Sequence, residues 1–424
     1  MNTLLKNSLN AERHVLDNGL TVLLLVDSRL PLVCSQTVFR VGSRNEHTGI
    51  TGISHLFEHM MFNGSENYPP GAFDQILESS GGYSNAYTSR DVTVYYESFT
   101  PSLLETVITL NADRMGRLTL NEECLTFERD VVMEERRMRT DNSVMGRMDE
   151  ALFANAYQAH PYRTPVIGWM SDIEKITLED CRWFFQTYYA PNNAVLAISG
   201  DFDPQQALAF IEREYGVIPS QKAPRPVRTV EPEQQGERRI VLQHPAQLPA
   251  MFAAYHAPEM THADVFALDM LQVILSDGDS SRLLRRMIHE KPLAVHVYSD
   301  FIWRVNPSLM TFYLQATGMP QLQKAENFLY RELERIRTRG ITTKEVRKSR
   351  NIISANLVRG MKSIEGRAGK LAVFEAFFDG YEEIFSLPEA YAQVTSEDIQ
   401  RVAAQYLQPA QRTVLIQEPT NGQS

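Results

Sequence analysis

An α+β fold used twice, each copy an antiparallel-rich sheet layered with helices, is what this sequence predicts, and three observations carry the prediction. At 424 residues the chain exceeds what one hydrophobic core sustains, so two or more domains are expected. Ile176-Thr-Leu-Glu179-Asp180 followed by Tyr188-Tyr-Ala-Pro191 recurs as Val394-Thr-Ser-Glu397-Asp398 followed by Tyr406-Leu-Gln-Pro409, with the same offset at both places (394 − 176 = 406 − 188 = 218). Such self-similarity marks a duplicated domain. Finally, each half mixes period-2 strands, such as Val92 to Phe99, with amphipathic helices, such as Pro101 to Arg117. The stretch 216–236 is rich in proline and polar residues and reads as a linker, which gives a first domain over 1–215 and a second over 237–424.

Within the first half, Gly52-Ile-Ser-His55-Leu-Phe-Glu58-His59-Met-Met-Phe-Asn-Gly64 reads as a helix with two unlike faces. At about 100° per residue, His55, Glu58 and His59 cluster on one side, and Ile53, Leu56, Phe57, Met60 and Met61 on the other. Two histidines four apart stand on successive turns, so both rings can reach one ion at roughly the 2.0–2.1 Å that zinc requires. Glu58 is held beside that point, where it can take a proton from a water rather than coordinate the metal. The order H-x-x-E-H is that of the inverzincins.

A zinc site calls for a third protein ligand and leaves a fourth position for water. The segment 119–139 reads as a helix with Arg129, Asp130, Glu134, Arg136 and Arg137 on a charged outer face and Glu128, Val131, Val132 and Glu135 along the inner stripe. An ionised carboxylate is costly to bury unless a cation meets it. Glu128 and Glu135 lie two turns, about 10.5 Å, apart along the axis; one of them ligates and the other supports, for instance by orienting a histidine.

At these residues the chain resembles the pitrilysin-type inverzincin metallopeptidases, and among them the half-length group that includes the β-subunit of mitochondrial processing peptidase and its bacterial relatives. The family follows H-x-x-E-H with a glutamate some 75 to 77 positions on, and here 135 − 59 = 76. The resemblance therefore implies one zinc ion per chain, held by His55, His59 and Glu135, with Glu58 as catalytic base and Glu128 as the supporting acid. It extends along the chain through Leu16 to Val22, Gly81 to Ser89, His160 to Gly168 and Tyr188 to Ala194. The second of these resembles the edge strand that pairs with bound peptide, which implies Asn85 and Ala86 as substrate-binding residues.

The second half has no H-x-x-E-H, and Asn351 and Val358 fall roughly where the two glutamates stand in the first. The family's second half contributes an arginine and a tyrosine seven apart, shortly after Ser-Ser-Arg-Leu. Ser280-Ser281-Arg282-Leu283 is present, but the two positions are Ile288 and Val295, flanked by His289 and His296. An intact metal motif beside a missing arginine–tyrosine pair, which in the family helps to bind substrate and stabilise the oxyanion, implies a half-enzyme, an endopeptidase for unfolded or short peptides completed by a paralogous chain that lacks zinc and supplies the pair. A homodimer is the other arrangement. Each chain would form half of a clamshell chamber. A non-catalytic structural or peptide-binding subunit is the alternative reading.

Composition sets the remaining bounds. A net charge of −10 argues against nucleic acid as the main partner. No apolar run approaches the roughly 20 residues that span a bilayer, so no membrane insertion is expected. The first 14 residues lack the apolar core of a signal peptide, which leaves a cytoplasmic protein or one whose leader has been removed; the resemblance points to the periplasm, with the cytoplasm as the alternative. Cys34, Cys124 and Cys181 form no paired framework and read as buried thiols.

Overall fold

The computed structural model describes residues 9–378 and 380–420, so the first eight residues, within the stretch that bears on a leader, lie outside it. The chain forms two compact units, and neither is one continuous stretch. Among the described residues, the first comprises 9–137, 164–228, 358–378 and 380–386; the second comprises 138–163, 229–357 and 387–420. Each half of the chain thus lends a helical segment to the unit built mainly by the other.

The sheet of the first unit contains β1 (Glu12–Val15), β2 (Thr21–Val26), β3 (Val33–Phe39), β4 (Tyr83–Thr88), β5 (Thr93–Phe99) and β6 (Ala194–Gly200). Their order is β1-β2-β6-β3-β5-β4. The β2–β6 pair is parallel, aligning Thr21 with Val195, and the other pairs are antiparallel. Strands β3 and β6 are buried at every position, β3 including the polar Ser35, Gln36 and Thr37, as strands are when both faces of a sheet are covered. Part of that cover is the borrowed helix Ile364–Phe377, which lies against β3 and β6. Part-buried charge pairs tie it down: Arg367 binds Asp27, and Arg13, itself largely exposed, donates to the buried Glu375 at 2.8 Å.

The second unit repeats the plan with β7 (Arg238–Pro245), β8 (Ala250–Ala257), β9 (His296–Phe301), β10 (Ser308–Gln315) and β11 (Arg412–Thr420). Their order is β7-β11-β8-β10-β9, again with one parallel pair, β7–β11. Here the borrowed helix is Val144–Ala156, whose Met148, Leu152, Phe153 and Ala156 pack with Ala250, Phe252, Tyr313 and Leu415. Arg238 donates to the carbonyls of Asn155 and Ala156 at 2.7 and 2.9 Å, placing a cation at that helix's negative end.

The repeat seen in the sequence is a repeat of structure. Thr177 and Asp180 form a reciprocal capping box that opens helix Leu178–Tyr188, and Thr395 and Asp398 form the same box before Ser396–Tyr406. Each helix leads, through a short 3-10 turn beginning at Pro191 or Pro409, into an interior strand of its sheet, β6 or β11. The helix expected from Pro101 starts at Leu104, preceded by a 3-10 turn. Cys34 and Cys181 are buried, but Cys124 is only half-buried. Among the described residues no helix is long and apolar enough to cross a membrane.

Candidate metal centre

Helix Ile53–Met60 is anchored by the face opposite its histidines. Ile53, Leu56, Phe57 and Met60 are buried in the core of the first unit. Phe57 packs against Phe184 and Tyr189, with ring centroids 5.4 and 5.1 Å away. Tyr95 Oη donates to the Phe57 carbonyl at 2.9 Å. An aromatic cluster of this kind fixes the helix's rotation about its axis, and with it the direction of the imidazoles.

The third candidate ligand comes from helix Glu122–Arg136. Glu135 Oε2 lies 3.7 Å from His55 Nε2 and 3.2 Å from His59 Nε2. One donor atom from each of His55, His59 and Glu135 falls within 4.8 Å of the others. Donors around a tetrahedral zinc at 2.0–2.1 Å stand about 3.3 Å apart, so two imidazoles and one carboxylate in this arrangement fit the ion with small side-chain adjustments. Glu58 Oε2 is 4.0 Å from His55 Nε2, beside the group and outside it.

Glu128, two turns back, meets the other nitrogen of the same ring. Its Oε2 is 3.2 Å from His59 Nδ1, and its Oε1 accepts from Asn63 Nδ2 at 2.8 Å. His59 thus has one nitrogen on the supporting acid and one toward the candidate ligand, the carboxylate–histidine pairing usual at metal sites. Burial works against a charged His59, but the bonds to Glu128 and Glu135 outweigh it and hold the ring up at about 9. Burial also raises the Glu58 carboxyl above the ordinary range, opposed by a hydrogen bond with Thr88.

The helix supplying Glu135 departs from its expected faces at two positions. Arg136, expected outside, is 5% exposed; it donates to the Gly168 carbonyl at 2.6 Å and lies over the Trp169 ring. Val131, expected inside, is 37% exposed. The carbonyl and the ring are supplied by a segment some 30 residues on, so no local pattern could reveal that the arginine turns inward.

Asn85 and Ala86 lie on β4, the last strand of its sheet. Asn85 is exposed, and its Oδ1 accepts from the Ala86 N–H at 2.8 Å; Ala86 packs against the core. His289 and His296 are exposed in the second unit. Sequence reasoning missed Asn63 and Thr88, whose partners are set by tertiary contact alone.

Residues 25–168, which contain every residue of the candidate centre, match the family described as Insulinase (Peptidase family M16), and residues 175–353 match Peptidase M16 inactive domain. The chain is 31% identical over 412 residues to a zinc protease, PqqE, of Helicobacter pylori, covering 96% of this chain and 93% of that one. The crystal structure of a protease from Helicobacter pylori superposes with a TM-score of 0.92 at 30% identity, covering 96% and 99% of the two chains. The periplasmic protease PqqL of Escherichia coli shares the fold, with a TM-score of 0.80 at 21% identity; 97% of this chain covers 48% of that one. The chain belongs to peptidase family M16.

Proposed function

We propose that this chain is the zinc-bearing half of a metalloendopeptidase, holding the ion with His55, His59 and Glu135. The convergence of those three side chains within 4.8 Å, with Glu58 at their edge, is the observation that carries the reading. Zinc, when bound, supplies a Lewis acid that polarises the scissile carbonyl and makes the attacking water acidic near neutral pH. Glu58 accepts the proton of that water, and burial brings its carboxyl closer to the working pH of a general base. Glu128 fixes the His59 ring through Nδ1. Asn85 and Ala86 present the open edge of β4 to an extended peptide, which would add to the sheet as a further strand; recognition of main chain makes specificity loose.

Ile288 and Val295, where the resemblance calls for an arginine and a tyrosine, support a split enzyme whose partner, a paralogous chain without zinc, supplies that pair. The twofold length of PqqL relative to this chain fits such a pairing, with the two chains as halves of a clamshell. The periplasmic description of PqqL favours the same compartment here; fractionation recovering the chain only from the cytoplasm would overturn that assignment. The second reading, a non-catalytic peptide-binding subunit, draws on the match of 175–353 to the inactive-domain description. That match lies outside the candidate centre.

Cleavage of a quenched fluorescent peptide by the chain alone, by the chain mixed with its paralogue, and by each with a zinc chelator separates these readings. Chelator-sensitive cleavage only in the mixture is expected. Full activity of the single chain would remove the need for a partner, and zinc binding without cleavage in any mixture would favour the peptide-binding subunit.

A further inference from the structure

The N-terminus of the histidine-bearing helix is an awkward place for a dication. Aligned peptide dipoles put roughly half a positive charge there, which is why helix N-termini ordinarily collect anions. His55 is only the third residue of helix Ile53–Met60, so a metal on it sits within a turn of that field. The structure places a buried carboxylate at this end. Glu46, 8% exposed, accepts the Gly52 N–H on Oε2 and the Ser54 N–H on Oε1, each at 2.8 Å. Both oxygens take a donor, an arrangement that suits the ionised form.

The surrounding backbone is built to keep that contact. Gly52 has φ 90°, and a Cβ there would meet the Ile167 carbonyl oxygen at 2.5 Å, so the segment carrying Ile167 and Gly168 can lie directly against the helix start. From the same segment Asp172 accepts the Gly49 and Thr51 N–H groups at 3.1 and 3.3 Å and the Thr51 hydroxyl at 2.7 Å. Gly168 in turn takes the Arg136 bond, next to Glu135. The start of one ligand helix and the end of the other are therefore tied to one short stretch of chain.

We propose that Glu46 is a positioning residue for the metal: its buried carboxylate fixes the start of the histidine-bearing helix and offsets the positive field of that terminus where a dication must bind. This rests on the zinc reading above. Burial pushes the Glu46 carboxyl up to about 8 against the pull of its two N–H donors, with Asp172 adding to the rise. A cation on the neighbouring turn would favour its ionised form.

The test is zinc affinity, read by competition with a chromogenic chelator, in the wild-type chain, Glu46→Gln and Glu46→Asp, alongside thermal melts of the zinc-free proteins. Glu46→Gln keeps the side chain's size and removes its ability to ionise when a cation binds; zinc affinity about tenfold or more weaker is expected, the usual range for groups acting through a ligand. Glu46→Asp keeps the charge and should bind within about threefold of wild type. A folded Glu46→Gln protein with wild-type affinity would overturn the proposal, leaving Glu46 an ordinary cap. Should Glu46→Gln not fold, tenfold weaker binding by Glu46→Asp overturns it instead. A wild-type chain that takes up no zinc would sink the metal reading itself, and this one with it.

Discussion

In the first unit, the helix that follows β3 carries two imidazoles and a carboxylate opposite its apolar anchors. In the second, the helix that follows β8, Val265–Ser276, buries eight of its twelve residues and keeps a single acid, Asp269. The two sheets nevertheless share one strand order apart from the additional β1. A sheet's register depends on apolar alternation and turn geometry, and both copies keep those. Metal chemistry needs only a few side chains grafted on the frame, and those are what the second copy lacks.

The comparison breaks most severely at Glu58. Glu58→Gln preserves shape and removes the base, so zinc content should stay near wild type while peptide turnover falls about 10²–10⁴-fold. Metal analysis paired with the fluorogenic assay decides it, and a variant at normal rate would remove Glu58 from the chemistry. Glu128→Gln is the next largest: it leaves the three candidate ligands in place but weakens the hold on His59 Nδ1. Zinc affinity should drop about 10–100-fold in the chelator competition, and an unchanged affinity would make Glu128 a bystander.

The second unit offers the counterpart, an acid that no metal needs. Burial pushes the Asp269 carboxyl up to about 6, although Tyr391 Oη donates to it at 2.5 Å. Because the folded value lies above the unfolded one of about 3.9, the neutral form is favoured in the fold. The stability it contributes is fully present below about pH 3.9 and is lost as the pH rises through about 6. Asp269→Asn, neutral at every pH, should therefore be more stable relative to wild type at pH 7 than at pH 4, by on the order of 2 kcal/mol. Denaturant titrations at the two pH values measure this, and a pH-independent difference would mean that Asp269 stays charged.

Much of the candidate centre was legible because it is local. H-x-x-E-H places three groups on one helix, and the spacing of Glu128 and Glu135 excludes both from one ion. The sheet cover was not legible, since helices Ile364–Phe377 and Val144–Ala156 each complete the unit built mainly by the other half of the chain. An amphipathic pattern tells which face of a helix is buried and is silent about which sheet receives it. The buried polar partners escaped for the same reason. Arg136 needs the Gly168 carbonyl and Glu46 needs the Gly52 and Ser54 N–H groups, contacts that only the folded backbone supplies.

The smallest effect tests the duplication itself. Thr177 and Thr395 do the same work 218 positions apart: each hydroxyl accepts the N–H of the aspartate three residues on, at 3.2 and 3.1 Å, and each aspartate Oδ2 accepts the threonine N–H, at 2.9 and 3.0 Å. With equivalent geometry and solvent exposure, Thr177→Ala and Thr395→Ala should each cost about 1 kcal/mol, read as the shift in the denaturation midpoint of the unit that carries the box. Losses equal within about 0.5 kcal/mol would mean that the capping energy belongs to the repeated motif. A much larger loss for Thr177→Ala would mean that the first box also steadies Phe184 and Tyr189, on which the histidine-bearing helix leans, so that an exposed threonine far from the ligands helps to hold the metal centre in place.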